Sequence, residues 1–156
     1  MTTLQPHTAD ARPTDPMRPP LRRVLAGSVL GTAAAAIVLF GYGALAIAVH
    51  GPMRAGDAGA AKASPVNAAS LSGGVLFTCF FGTLLALALA RWATRPARTF
   101  GRVAIVLTVV SLAAPLAASH TDDATRVLLG CGHLVAALIV IPTIVRSMRT
   151  PAPVVP

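Results

Sequence analysis

Four long apolar runs dominate this chain and limit what it can fold into. They cover residues 24–49, 71–90, 103–118 and 124–145, and none contains Asp, Glu or Lys. A helix needs about 20 apolar residues to cross a bilayer, and the third run approaches that length when it begins at Phe100. Barrel strands would alternate apolar and polar residues, whereas these runs are continuous. The pattern predicts an all-α integral membrane protein, a bundle of four spanning helices.

The composition agrees with this prediction. Apolar side chains make up 54% of the 156 residues and charged ones only 12%, against about 25% charged in an ordinary soluble domain. The first run has 26 residues, which is longer than the apolar region of about 7–15 residues in a cleaved signal peptide. We therefore expect all four helices, at about 24–49, 71–90, 100–118 and 124–145, to remain in the membrane.

The positive charge is unevenly distributed along the chain. The formal net charge is +8, and ten of the thirteen basic residues lie before the first run, between the second and third, or after the fourth. Because basic residues in short loops stay cytoplasmic, we expect an antiparallel bundle in the plasma membrane with both termini inside. The residues that carry this topology prediction are Arg22, Arg23, Arg91, Arg95, Arg98, Arg102, Arg146 and Arg149.

The same arginines could suggest a nucleic-acid partner, but no segment outside the membrane is large enough to display a binding domain. Attraction to the anionic headgroups of the lipid bilayer explains the charge better. Residues 1–21 and 150–156 have the composition of disordered tails, which leaves 22–149 as the membrane domain. The outer loop 51–69 is rich in Gly, Ala and Pro and lacks the apolar residues to fold independently. We expect no enzymatic activity and no cofactor.

Small residues indicate where the helices approach one another. Gly27 and Gly31 are one turn apart, and Gly130 lies on the same face of the fourth run as Ala137. Such residues allow close packing in lipid, where no hydrophobic effect drives helices together. Pro115 and Pro142 each lack an amide proton, so each should bend its helix or free a carbonyl.

His133 is the one histidine predicted to lie deep in the membrane, and an ionisable group there is a functional hypothesis by default. Its helical neighbours include Gly130 and Ala137, so we expect the ring to point into the bundle. The favoured interpretation is a neutral imidazole that ties two helices together, with Ser111 as a partner at matching depth. The alternatives are a role in proton-linked transport or ligand binding, and a metal or haem ligand.

Two further groups of residues could carry chemistry. Cys79 and Cys131 lie at similar depths, so a disulfide or a Cys–Cys–His metal cluster is an alternative to two free, buried thiols. At the outer rim, His50 and His120 could join Asp122 and Asp123 in a metal site. Helix capping by Thr121 or Asp122 is the better explanation of those acidic residues.

The third and fourth runs read "SLAAPLAA" and, after a short polar turn, "GCGHLVAALIVIPTIVR". From about Arg22 to Arg149 the chain resembles the DUF6069 family, small actinobacterial four-helix membrane proteins of unknown function. The family's "HLV"-like stretch matches His133, Leu134 and Val135. The resemblance implies a fold but no activity and no site residues.

The sequence excludes some functions of similar small membrane proteins. Four-helix multidrug transporters need a carboxylate within the membrane, and quinone-linked thiol oxidases need paired reactive cysteines; this chain has neither. We expect a structural or accessory subunit that binds another membrane protein or a second copy of itself. The alternative is a small transporter or channel in which His133 lines a proton or solute path.

Overall fold

A computed structural model describes residues 18–149 and confirms the four-helix prediction. Four helical segments are long and apolar enough to cross a membrane. The third is divided in two, because a short break at Leu112 separates its last turn. The elements in chain order are α1 Leu21–His50, β1 Met53–Ala55, β2 Ser64–Val66, α2 Ala68–Trp92, α3 Pro96–Ser111, α4 Ala113–Leu116 and α5 Asp123–Met148. The predicted disorder of the two tails falls mainly on 1–17 and 150–156, which lie outside the described residues.

Local capping residues fix where the helices begin. Asn67 and Ser70 form a reciprocal capping box, in which Asn67 Oδ1 accepts from the Ser70 amide at 2.8 Å and Ser70 Oγ accepts from the Asn67 amide at 2.9 Å. Asp122 caps α5 by accepting from the Thr125 amide at 2.8 Å. Pro96 occupies the first turn of α3, where its missing amide proton costs nothing.

The two helix prolines have different consequences. Pro115 lies in α4, one turn after the break, and cannot donate to the Ser111 carbonyl. The third helix, predicted at 100–118, therefore begins four residues earlier and ends two residues earlier than expected, and it is interrupted at Leu112. Pro142, in contrast, lies inside α5, which continues to Met148.

The helices pack around α1, which contacts both α2 and α5 along its length, while α3 lies mainly against α5. We call the end where α1 and α3 begin the arginine end and the opposite end the hairpin end. The best-packed core is close to the arginine end, where Val24, Ala86, Phe100 and Ile144 are almost fully buried. α2 and α3 contact each other much less than α1 contacts α2 or α5.

The loop after α1 is more ordered than its sequence indicates. β1 and β2 form an antiparallel hairpin with Met53 opposite Val66. Gly56 also pairs with Ser119 of the second connection at the same end. The loop lacks a core of its own, as expected, but Met53 is only 1% exposed and packs near α5. Contact with the helices, which the loop sequence does not reveal, is what orders it.

Candidate intramembrane groove around His133

Between α2 and α3 lies an apolar groove of about 770 Å³, whose floor is α5. It extends along α2 from Ser70 to Leu85, which is about 22 Å at 1.5 Å per residue. We call it the lateral groove, because it opens sideways between the two helices. Its polar lining consists of His133 and the hydroxyl and thiol groups of Ser70, Thr78, Cys79, Thr108 and Ser111.

His133 lies near the middle of α5 and is half-buried. The helix midpoint is about 135.5, which places His133 about 4 Å from it along the axis. The ring Nδ1 is 2.9 Å from the Leu129 carbonyl. Because a carbonyl only accepts, Nδ1 must carry the proton, and in the neutral ring Nε2 is then an acceptor. No group within residues 18–149 donates to Nε2.

The predicted bond between His133 and Ser111 is not formed. Both residues line the lateral groove, but Ser111 Oγ donates to the Thr108 carbonyl at 2.7 Å, and Thr108 Oγ1 donates to the Ala104 carbonyl at 2.8 Å. Hydroxyls on helices readily bond to the carbonyl three or four residues earlier. His133 does the same with Leu129, so it does not tie α5 to α3.

The two cysteines lie on different surfaces. Cys79 is buried and lines the lateral groove, whereas Cys131 is exposed, and both are free thiols. Cys131 precedes His133 by two residues, which turns it about 200° around α5. Neither the disulfide nor the Cys–Cys–His cluster is present, and no group of three metal-ligating side chains occurs within residues 18–149.

The small-residue contacts between helices correspond only in part to the predicted ones. A Cβ added to Gly27 would lie 2.5 Å from the Cβ of Ser147, and one added to Gly31 would lie 3.2 Å from that of Thr143, so both glycines pack against α5. In contrast, no other helix within residues 18–149 comes within 4 Å of the Cβ position of Gly130. The prediction for Gly130 is wrong, because the face of α5 that meets α1 contains Gly132 instead.

Gly132 is buried, and its Cβ position lies 3.3 Å from Leu39 of α1. Nearby, the hydroxyl of Tyr42 donates to the Leu128 carbonyl at 2.7 Å and joins α1 to α5. This bond was not predicted from the sequence. A tyrosine hydroxyl inside an apolar run needs a hydrogen-bond partner, so the presence of Tyr42 in the first run could have indicated such a bond.

At the hairpin end, Asp122 caps α5 as expected. The hydrogen bonds from the backbone and side chain of Thr125 lower the pKa of Asp122, with a smaller contribution from nearby His50. His50 Nε2 lies 3.3 Å from Asp122 Oδ2. Asp123 pairs instead with Arg126 at 3.0 Å. Asp122 and Asp123 thus each have a hydrogen-bond or charged partner close by in the sequence or at the same end of the bundle.

The arginines that carry the topology prediction all lie at the arginine end, at the starts of α1 and α3 and the ends of α2 and α5. These arginines are Arg22, Arg23, Arg91, Arg95, Arg98, Arg102, Arg146 and Arg149. The acidic residues within 18–149 are Asp57, Asp122 and Asp123, and all three lie at the hairpin end. The bundle is therefore strongly polarised along its axis.

Comparison with known proteins agrees with the resemblance seen in the sequence. No curated protein and no solved structure matches the chain. The family described as "Family of unknown function (DUF6069)" matches residues 17–150, which include the whole bundle, the lateral groove and all three connections between the spanning helices. The chain is therefore a member of the DUF6069 family, with four helices suited to a membrane.

Proposed function

We propose that this protein is an accessory subunit of the plasma membrane that binds a transmembrane helix of another membrane protein in the lateral groove. In this proposal the protein has no catalytic activity of its own. The observation that carries it is the groove between α2 and α3, which runs parallel to the helices and has an unpaired hydrogen-bond acceptor, His133 Nε2, on its wall.

The dimensions of the groove fit the side of a helix. A helix about 22 Å long and about 10 Å in diameter fills about 1,700 Å³, more than twice the groove volume of about 770 Å³. The groove can therefore receive one row of side chains from a helix that lies against α2 and α3, with the rest of that helix facing lipid.

The lining supports close approach of a second backbone. Gly74 and Gly82 on α2 and Ala136 and Ala137 on α5 all contribute to it. Small residues at such positions let helices pack closely in lipid, where packing and hydrogen bonds replace the hydrophobic effect. A serine, threonine or asparagine of the partner helix would donate to His133 Nε2.

The orientation is part of the proposal. Nine arginines within residues 18–149 lie at the arginine end, against Arg54, Lys62 and Arg126 towards the hairpin end. The positive-inside rule then places the arginine end and both termini in the cytoplasm. The partner helix would lie in the groove roughly parallel to α2 and α3.

The test is photo-crosslinking in intact membranes with a photoreactive amino acid at Leu107. Ile105, two residues away on α3, provides a matched control, since Leu107 is 55% and Ile105 57% exposed but only Leu107 lines the groove. We expect a protein adduct of defined mass from position 107 and not from 105. Adducts of equal yield at both positions, or adducts with lipid alone, would refute the proposal.

Three further variants make the crosslinking specific to the groove. Gly74→Leu places a side chain in the groove, whereas Gly73→Leu places it outside, and neither Cβ position has a neighbour within 4 Å. The adduct should be lost in Gly74→Leu and retained in Gly73→Leu. His133→Leu should weaken binding about threefold, the usual effect of one hydrogen bond between membrane helices. Coexpression of two differently tagged copies distinguishes a self-adduct from another protein.

A second candidate function, a small proton or solute transporter, has one observation in its favour: the position of His133 on an open groove at mid-depth. Reconstitution in liposomes separates the two functions. A transporter should give a flux driven by a pH gradient that His133→Gln abolishes. The accessory-subunit proposal expects no flux above that of empty liposomes.

A further inference from the structure

A second cavity lies at the arginine end, between the chain segment before α1 and the connection from α2 to α3. It has a volume of about 500 Å³. Its lining includes Arg18, Trp92, Arg95 and Arg98, with Met148 of α5 beneath them. We call this cavity the arginine pocket. It is separate from the lateral groove and shares none of its lining residues.

The three guanidinium groups have no partner within residues 18–149. None of them makes an ion pair or a hydrogen bond there, and the carboxylates of that range lie at the opposite end of the bundle. Each guanidinium presents five N–H donors in a planar fork that matches a phosphate. Three unpaired cations around one cavity therefore favour an anionic ligand.

The backbone adds donors to the same cavity. Arg95 is the N-cap of α3 and provides no side-chain cap. In the first turn of α3, the Thr99 amide is the first to have a hydrogen-bond acceptor, the Arg95 carbonyl. The amides of Ala97 and Arg98 remain available at the positive end of the helix, the arrangement that binds phosphates elsewhere.

The position of the pocket indicates which phosphate it meets. Trp92 is the one tryptophan of the chain and is 78% exposed at the end of a spanning helix, where aromatic residues mark the membrane interface. Pro19, Ala93 and Met148 give the pocket an apolar side as well. A lipid headgroup at that level offers a phosphate next to apolar glycerol and acyl carbons.

From this geometry we propose that the arginine pocket binds the phosphate of an anionic phospholipid headgroup. Basic pockets between spanning helices on the cytoplasmic side recognise such headgroups. The ligand would be held by the guanidinium groups and the free amides of α3. This inference is independent of the accessory-subunit proposal, because it concerns a different surface.

The experiment uses Trp92 as its own reporter, with the full-length protein in lipid nanodiscs. Spin-labelled phosphatidylglycerol and spin-labelled phosphatidylcholine are compared as quenchers of Trp92 fluorescence at equal mole fraction. In about 1 M salt the Debye length is about 3 Å, so charges that do not touch the lipid contribute little. We expect stronger quenching by phosphatidylglycerol.

Charge-matched variants test whether the pocket is responsible. Arg95→Gln with Arg98→Gln removes two pocket cations and should lower the preference for phosphatidylglycerol by about tenfold or more, as expected for lost hydrogen bonds to a charged group. Arg146→Gln with Arg149→Gln removes the same charge at the same end outside the pocket and should keep the preference. Equal losses in both variants would overturn the proposal, because general attraction would then explain the quenching.

Two other occupants have distinct signatures. If inorganic phosphate changes Trp92 emission in phosphatidylcholine discs while the wild-type protein shows no preference for phosphatidylglycerol in mixed discs, the pocket binds free phosphate, and the lipid proposal fails. If the wild-type protein shows no preference but Asp10→Asn with Asp15→Asn does, the tail occupies the pocket, and the proposal also fails. Arg18→Gln alone provides a milder pocket variant, with a smaller loss expected, if the double variant does not fold.

Discussion

The contact between α1 and α5 can be tested by adding a single methyl group. In Gly27→Ala the new Cβ would lie 2.5 Å from the Cβ of Ser147 and 2.7 Å from its hydroxyl oxygen. Carbon atoms in favourable contact are about 3.5–4.0 Å apart. The neighbouring atom is a Cβ, next to the backbone, so it cannot rotate away. The two helices must separate by about 1 Å for the methyl group to fit.

The expected cost follows from two opposing effects. Overpacking a close contact costs about 1–3 kcal/mol, whereas replacing a helical glycine by alanine contributes up to about 1 kcal/mol in favour of the helix. Gly27→Ala should therefore lower the free energy of unfolding by about 1–2 kcal/mol. Gly41→Ala is the matched control, because it lies on the same helix with no neighbour within 4 Å. It should leave the stability unchanged or raise it.

The assay is reversible unfolding in mixed micelles, followed by circular dichroism as the denaturing detergent is increased. Adding Ser147→Gly to Gly27→Ala removes the atom responsible for the clash. The double variant should then be more stable than the sum of the two single effects predicts. The reasoning is refuted if Gly27→Ala is as stable as Gly41→Ala, or if Ser147→Gly gives no such compensation.

Three further predictions concern other contacts. Tyr42→Phe removes the donor to the Leu128 carbonyl and should lower the unfolding free energy by about 0.6–1.7 kcal/mol in the same assay; no change would mean that the bond contributes nothing. Met53 is only 1% exposed, so Met53→Ala leaves a cavity beneath the loop. Hydrogen exchange should then be faster at the Gly56 amide, which donates to the Ser119 carbonyl. Exchange near the middle of α1 should not change and serves as the control. The hydrogen bonds from Thr125 lower the folded-state pKa of Asp122. Its stabilising effect is therefore complete above the unfolded-state pKa of about 3.9 and is lost as the pH falls through the lower folded-state pKa. The melting temperatures of the wild type and Asp122→Asn should therefore become equal at acid pH, and a difference that stays constant with pH would contradict this linkage.

The number and approximate ends of the helices could be predicted because each follows from local sequence. Apolar length defines a span, and capping residues such as Asp122 define where it begins. The distribution of arginines likewise follows from the order of the runs along the chain. These properties require no knowledge of which helix lies beside which.

The faces of the helices could not be predicted in the same way. Gly130 and Gly132 are equally plausible packing residues in the sequence. Only the structure shows that Gly132 meets Leu39, whereas no other helix of the described part of the chain lies within 4 Å of the Cβ position of Gly130. Ser111 and His133 were expected to pair across two helices. Each instead bonds to its own helix, at the Thr108 and Leu129 carbonyls.

The physical reason lies in the solvent. In water, a helix reveals its buried side by an apolar stripe, because the other side must be polar. In a bilayer the lipid is as apolar as the protein interior, so both sides of each run have the same composition. The sequence by itself therefore determined that four helices cross a membrane and which end carries the positive charge. Tertiary structure alone decided that α2 and α3 leave a groove between them and that His133 lines it.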